Sequence, residues 1–403
     1  MNGPVQPVEF HPLGMREDGG EWIVGRVDTG THVAVPAHGA RAICLLQQGL
    51  STAEAARRVE EETGRRTAVD AFVASLAALG LVRRIGGREV DSPPPVRPSF
   101  PRLRAVHVRW ALSPVLHAAL LLLAAAGAAA AVSDPRLRPH WQDVLWSGQG
   151  TVVLAGQAAL TWALLFLHEL AHLITARAAG VPGTIRLGTR LQFLVMQTDV
   201  SGVWLCDRRT RFTVYLSGMA LDLALAGGCV LVQAATGPQR LLAVVVLTKL
   251  FAVATELLIF MRTDVYFLLQ DLLRRRNLYR EASVYVRHLA LRCIRPAAGA
   301  DRQPLAGLRA SERRVVRGYA CVMVAGSAAS LVLAYFVVTR VTLALLARAL
   351  HTLAGPSGWA AVADAVTTIT ILVGLQALWI AAWWRRHAPR VRAALRTALS
   401  RRA

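Results

Sequence analysis

Lysine and acidic residues are scarce in this 403-residue chain, and its few cysteines form no pattern. Lys249 is the sole lysine among 46 basic residues, while Asp and Glu together number 25, so arginine carries nearly all of the formal +21 charge. The five cysteines (Cys44, Cys206, Cys229, Cys293 and Cys321) are odd in number and lack any C-x-x-C spacing. That excludes a disulfide framework and a thiolate zinc cluster, and it leaves them as reduced structural residues. No apolar run long enough to span a bilayer occurs before Arg109. A cleavable signal peptide is therefore not expected, and the N-terminal region is expected to stay on the cytoplasmic side. The arginine excess does not read as a nucleic-acid footprint, because it flanks apolar runs; positive-inside sorting and anionic lipid headgroups produce that distribution.

Apolar sequence is abundant: 54% of residues are hydrophobic and mean hydropathy is +0.40. A chain of this composition is a membrane protein with room for a small soluble domain. Six segments approach the roughly 20 apolar residues a span requires: Trp110 to Val132, Gly148 to Leu173, Thr213 to Ala235, Leu241 to Phe260, Tyr319 to Val338, and Val362 to Trp384. The stretches Pro93 to Arg109, Arg177 to Arg211, Arg262 to Arg317 and Arg385 to Arg402 are arginine-rich, whereas the alternate links carry few arginines. Both termini are thus predicted to be cytoplasmic, with the second span running inward.

Ahead of these segments, Trp22 to Val35 reads as a hairpin, followed by helices over Ala37 to Gln48, Ser51 to Thr63 and Thr67 to Leu79. Ser51-Thr52-Ala53-Glu54 is a capping box, Gly64 and Gly80 are helix stops, and Leu81 to Val90 reads as a wing-like hairpin around Gly86-Gly87. The expected fold class is mainly α: a six-span helical bundle preceded by a small α+β winged-helix domain. The expected divisions are a winged-helix domain over 1–90, a Pro/Arg-rich linker over 91–109, the membrane domain over 110–384 and a basic cytoplasmic tail over 385–403. The third helix, with Val69, Phe72, Val73 and Leu76 at helical spacing, has no basic residue to meet phosphate, so DNA is not the expected partner. Glu21 to Val90 instead resembles the PqqD-like peptide-recognition domains of ribosomal peptide natural-product pathways. The resemblance implies capture of a precursor leader peptide as an added strand beside the hairpin.

The most specific chemistry lies in His168-Glu169-Leu170-Ala171-His172, near the end of the second apolar run. Four-residue spacing puts His168 and His172 on one helix face, where both can aim a ring nitrogen at one Zn²⁺. Glu169, turned about 100° away, can take a proton from water beside that metal. Zinc needs a third protein ligand, for which Asp222, Asp264, Asp199, Asp271 and Glu256 compete; depth along the spans does not choose among them. Lys249 lies mid-span, and the sequence attaches no chemistry to it.

The motif, together with Glu256 to Tyr266, Leu269 to Leu273 and Asn277-Leu278, resembles the site-2 protease family, in particular its peptide zinc metalloprotease branch. The resemblance covers about Gly148 to Arg280 and implies an intramembrane zinc metalloendopeptidase in a bacterial cytoplasmic membrane, with Asp264 as third ligand. Ser217 to Asp222 matches the family's small-residue motif, with Asp222 at the position of its asparagine. The chain departs from the family at Glu256, where an asparagine that helps polarise the scissile carbonyl is expected, at Val265 in place of glycine, and at Met219 and Ile259 in place of prolines. Asp222 and Glu256 are accessory candidates. Thr184 to Leu205 is rich in strand formers but too short to cross a bilayer, and it reads as a hairpin beside the site.

Joining a leader-binding domain to such a protease implies leader removal from a ribosomally made modified peptide. Two rivals are a regulatory protease releasing a membrane-tethered factor and a catalytically degenerate peptide chaperone or export accessory.

Overall fold

A computed structural model describes residues 7–190, 193–273, 278–294 and 307–399. The N-terminal part holds two three-stranded antiparallel sheets and three helices. Strands β1 (Val8–Phe10), β5 (Val82–Ile85) and β6 (Arg88–Glu89) form one sheet in the order β1-β5-β6, and β2 (Gly14–Asp18), β3 (Glu21–Gly25) and β4 (His32–Pro36) form the other. Between them lie α1 (Ala37–Gln47), α2 (Thr52–Thr63) and α3 (Val69–Ala78). Helix α2 starts because the Ser51 hydroxyl accepts the Glu54 amide at 3.2 Å while the Glu54 carboxylate accepts the Ser51 amide at 2.9 Å. It stops at Gly64, whose φ of +66° suits a residue without a Cβ. Val24, Ile43, Leu46, Val59, Leu76 and Leu81 fill the shared core. Strands β1 and β2 go beyond the sequence reading; they are short, and pairing with β5 and β3 defines them.

The remainder is mainly helical: α4 (Ala105–Val108), α5 (Pro114–Ser133), α6 (Gly150–Ala178), α7 (Arg208–Thr236), α8 (Arg240–Glu256), α9 (Asp264–Leu272), α10 (Leu278–Ile294), α11 (Ala310–Ala354) and α12 (Trp359–Leu399). Among the described residues, four helical stretches are long and apolar enough to cross a membrane: α5, α6, α7 and Trp359–Leu378 of α12. The fourth predicted segment is a 17-residue helix, α8, because the chain leaves the helix after Glu256 and turns through Ile259–Met261. The fifth lies inside α11, which is 45 residues long. Helix α12 continues into the basic tail as far as Leu399, and 400–403 lie outside the described residues. The arginine-rich stretch after Arg262 contains two helices, α9 and α10, that were not anticipated.

Helix α7 is central, since half of its most apolar stretch is buried, against 6% for α5 and 11% for α6. It meets α5 backbone to backbone, where a Cβ on Gly127 would stand 2.3 Å from the Gly227 Cα. Strands β7 (Thr184–Arg190) and β8 (Phe193–Asp199) pair antiparallel between α6 and α7, where the sequence predicted a hairpin.

The N-terminal sheet rests on the turn Ser201–Leu205 that follows β8. The His32 ring stacks on Trp204 at 5.8 Å, and Arg16 Nε donates to the Trp204 carbonyl at 3.3 Å. The linker continues this contact: the Val96 amide donates to the Asp28 carbonyl, and the Ser99 amide donates to the Gly183 carbonyl, at 2.8 and 2.9 Å.

Candidate metal centre

Helical periodicity turns His168 and His172 toward α7, and both are buried, 5% exposed. Asp264 arrives from the opposite direction as the first residue of α9. One carboxylate oxygen, Asp264 Oδ2, lies 2.7 Å from His172 Nε2 and 3.2 Å from His168 Nε2, and the two Nε2 atoms are 3.1 Å apart. These three residues form the one group of its kind among the described residues, each offering a ligand atom within 4.8 Å of the others.

The remote ring nitrogens are committed elsewhere. His172 Nδ1 donates to the Val214 carbonyl at 2.7 Å, and His168 Nδ1 donates to Asp222 Oδ2 at 2.9 Å. A carbonyl can only accept, so His172 carries a proton on Nδ1, and in the neutral imidazole its lone pair then lies at Nε2. With His168 in the matching tautomer, three lone-pair atoms face one another at close range. A cation resolves that repulsion. Two of the separations, 3.1 and 3.2 Å, lie near the edge of about 3.3 Å for a tetrahedron with bonds of about 2.0 Å and the third, 2.7 Å, is shorter, so the donor set suits zinc once His172 and Asp264 part slightly.

Gly218 makes room for this convergence: a Cβ there would stand 2.6 Å from Nε2 of both His168 and His172. Any side chain would occupy the space where the ligand atoms meet. Asp264 is aimed by the turn before α9. Arg262 takes a φ of +59°, an unusual value for a residue with a Cβ, and reverses the chain. The Glu256 carboxylate then accepts the Asp264 amide at 2.8 Å, and the Glu256 carbonyl accepts the Thr263 hydroxyl at 2.6 Å. Glu256 therefore braces the backbone of Asp264.

Of the other sequence candidates, Asp222 contacts His168 from behind and stays outside the converging atoms. Asp199 accepts from the Ser201 amide and hydroxyl, and Asp271 forms a two-pronged pair with Arg211, both contacts at 2.6 Å. Asn277 lies outside the described residues. Glu169 is half-buried, and its carbonyl accepts the Thr198 hydroxyl at 3.0 Å, which ties β8 to the motif. Sequence reasoning missed Lys249, whose ammonium donates to Asp222 Oδ1 and, at 2.8 Å, to the Leu164 carbonyl. The available signal was the coincidence of a lysine and an aspartate in separate apolar runs, since buried charges require partners.

Comparison with protein-family models, curated proteins and solved structures gave no match to this chain.

Proposed function

We propose that the chain is an intramembrane zinc metalloendopeptidase of site-2 protease type, with six spans, both termini cytoplasmic and an N-terminal PqqD-like winged-helix domain that captures a leader peptide. The observation carrying this reading is the meeting of His168 Nε2, His172 Nε2 and Asp264 Oδ2 with both remote imidazole nitrogens already engaged. Those three side chains would hold zinc, which when bound supplies Lewis acidity and lowers the pKa of a water molecule.

The chain's own residues supply the rest. Glu169, one position along the helix from His168, takes the proton released when water attacks the peptide carbonyl and returns it to the departing amine. The edge of the β7–β8 hairpin, anchored beside Glu169 through Thr198, offers backbone hydrogen bonds that hold a peptide extended. An extended peptide bond is the form accessible to attack. The substrate class is a precursor of a modified ribosomal peptide, because a leader-binding module and a peptidase centre share one chain.

Metal content and turnover test this together. Purified in detergent, the wild-type protein is expected to hold about one zinc per chain, whereas His168→Ala and His172→Ala lose it. Glu169→Gln is expected to keep the metal and lose cleavage, since it removes only the proton acceptor. Equal zinc in all four proteins by elemental analysis, or turnover in Glu169→Gln, would sink the proposal.

A further inference from the structure

Lys249 is 1% exposed in the middle of α8, and its partner Asp222 on α7 is fully buried. Replacing a buried ion pair by apolar residues of similar volume is often neutral or stabilising, so holding the helices together does not by itself account for these charges. The choice of lysine is also specific. The other 45 basic residues (46 Lys plus Arg, less Lys249) are all arginine, and lysine differs from arginine in being a compact point cation without a planar fork.

The contacts form a closed circuit. Lys249 Nζ donates to Asp222 Oδ1 and to the Leu164 carbonyl, and Asp222 Oδ2 accepts His168 Nδ1. Leu164 is one turn before His168 on the same helix, so the circuit begins and ends on α6. The Asp222 carboxylate is held at both oxygens and has little freedom to rotate. His168 is thereby fixed in ring orientation and tautomer, with Nε2 toward Asp264.

We propose that Lys249 is a positioning residue for the metal centre, acting through Asp222 to hold His168 in its ligating orientation. The proposal rests on the reading of His168 as a zinc ligand. Loss of an outer-shell partner of a metal-bound histidine typically weakens metal binding roughly 10- to 100-fold, and that is the effect expected here.

The full-length protein in detergent serves as wild type, as Lys249→Met and as Lys249→Met combined with Asp222→Asn. Zinc affinity is measured by competition with a chromophoric chelator, and site geometry is read from the visible bands of the cobalt-loaded protein. Lys249→Met is expected to bind zinc roughly 10- to 100-fold more weakly and to shift the cobalt bands. The double variant buries no unpaired charge, so it is expected to melt near the wild-type temperature while keeping the weakened affinity and the shifted bands. Where the single variant folds poorly, wild-type affinity and bands in the double variant still overturn the proposal, because that variant lacks the whole Lys249–Asp222 pair. Wild-type affinity and bands in a folded variant would overturn the role of Lys249 and leave the zinc reading standing. A wild-type protein that binds neither zinc nor cobalt would overturn both.

Discussion

At the scale of single residues, the candidate site depends as much on an absent side chain as on the three groups that converge there. Gly218 lets the α7 backbone lie against the two imidazoles, and a methyl group there would collide with both Nε2 atoms at 2.6 Å. Gly218→Ala is expected to weaken zinc binding at least as much as the roughly 10- to 100-fold typical of losing an outer-shell partner. The melting temperature should change little, because the collision falls on the site and not on the hydrophobic core. Equilibrium dialysis against buffered zinc checks this, and unchanged affinity would mean that the α7 backbone can yield. The two histidines were legible in the sequence because one helical period places them together. Asp264 was legible only through resemblance, since several carboxylates competed and helical spacing cannot relate α6 to an element some 90 residues later. The contacts of Lys249 were not legible, because both its partners belong to other helices.

At the scale of elements, α9 is fixed at two points. Its start is braced by Glu256, and its far end is clamped to α7 by the Arg211–Asp271 pair, with Arg211 1% and Asp271 5% exposed. Removing one member of a buried pair leaves an unpaired charge and costs about 3–5 kcal/mol. Arg211→Met is expected to lower the melting temperature in detergent, and adding Asp271→Leu should recover most of the loss. A single variant that melts at the wild-type temperature would show that the clamp contributes nothing. Capping boxes and glycine stops revealed the N-terminal helices, because their signals lie within a few residues. The end of α8 was missed, since the residues after Glu256 remain apolar although the backbone leaves the helix by Leu258 and turns through Ile259–Met261.

At the scale of the whole molecule, the N-terminal sheet leans on Trp204, directly after the strand that touches the motif. Under the proposed function, this arrangement would separate capture from chemistry. On that reading, a chain beginning at Asp91 is expected to show a higher KM for a precursor peptide with kcat largely kept, as befits binding remote from the reacting bond. An unchanged KM would remove the domain from substrate recognition, and steeply salt-dependent DNA binding by the full chain would favour the regulatory rival. The same scale exposes a constraint on which substitutions the packing accepts. Gly127 and Gly227 touch through their backbones, so an added Cβ on Gly127 meets Gly227 and one on Gly227 meets the α5 backbone at Leu123 and Ala124. Neither glycine can enlarge first without forcing the two helices apart. The crossing acts as a ratchet: with α5 and α7 at this distance, a single substitution at either glycine has no route that leaves the packing intact.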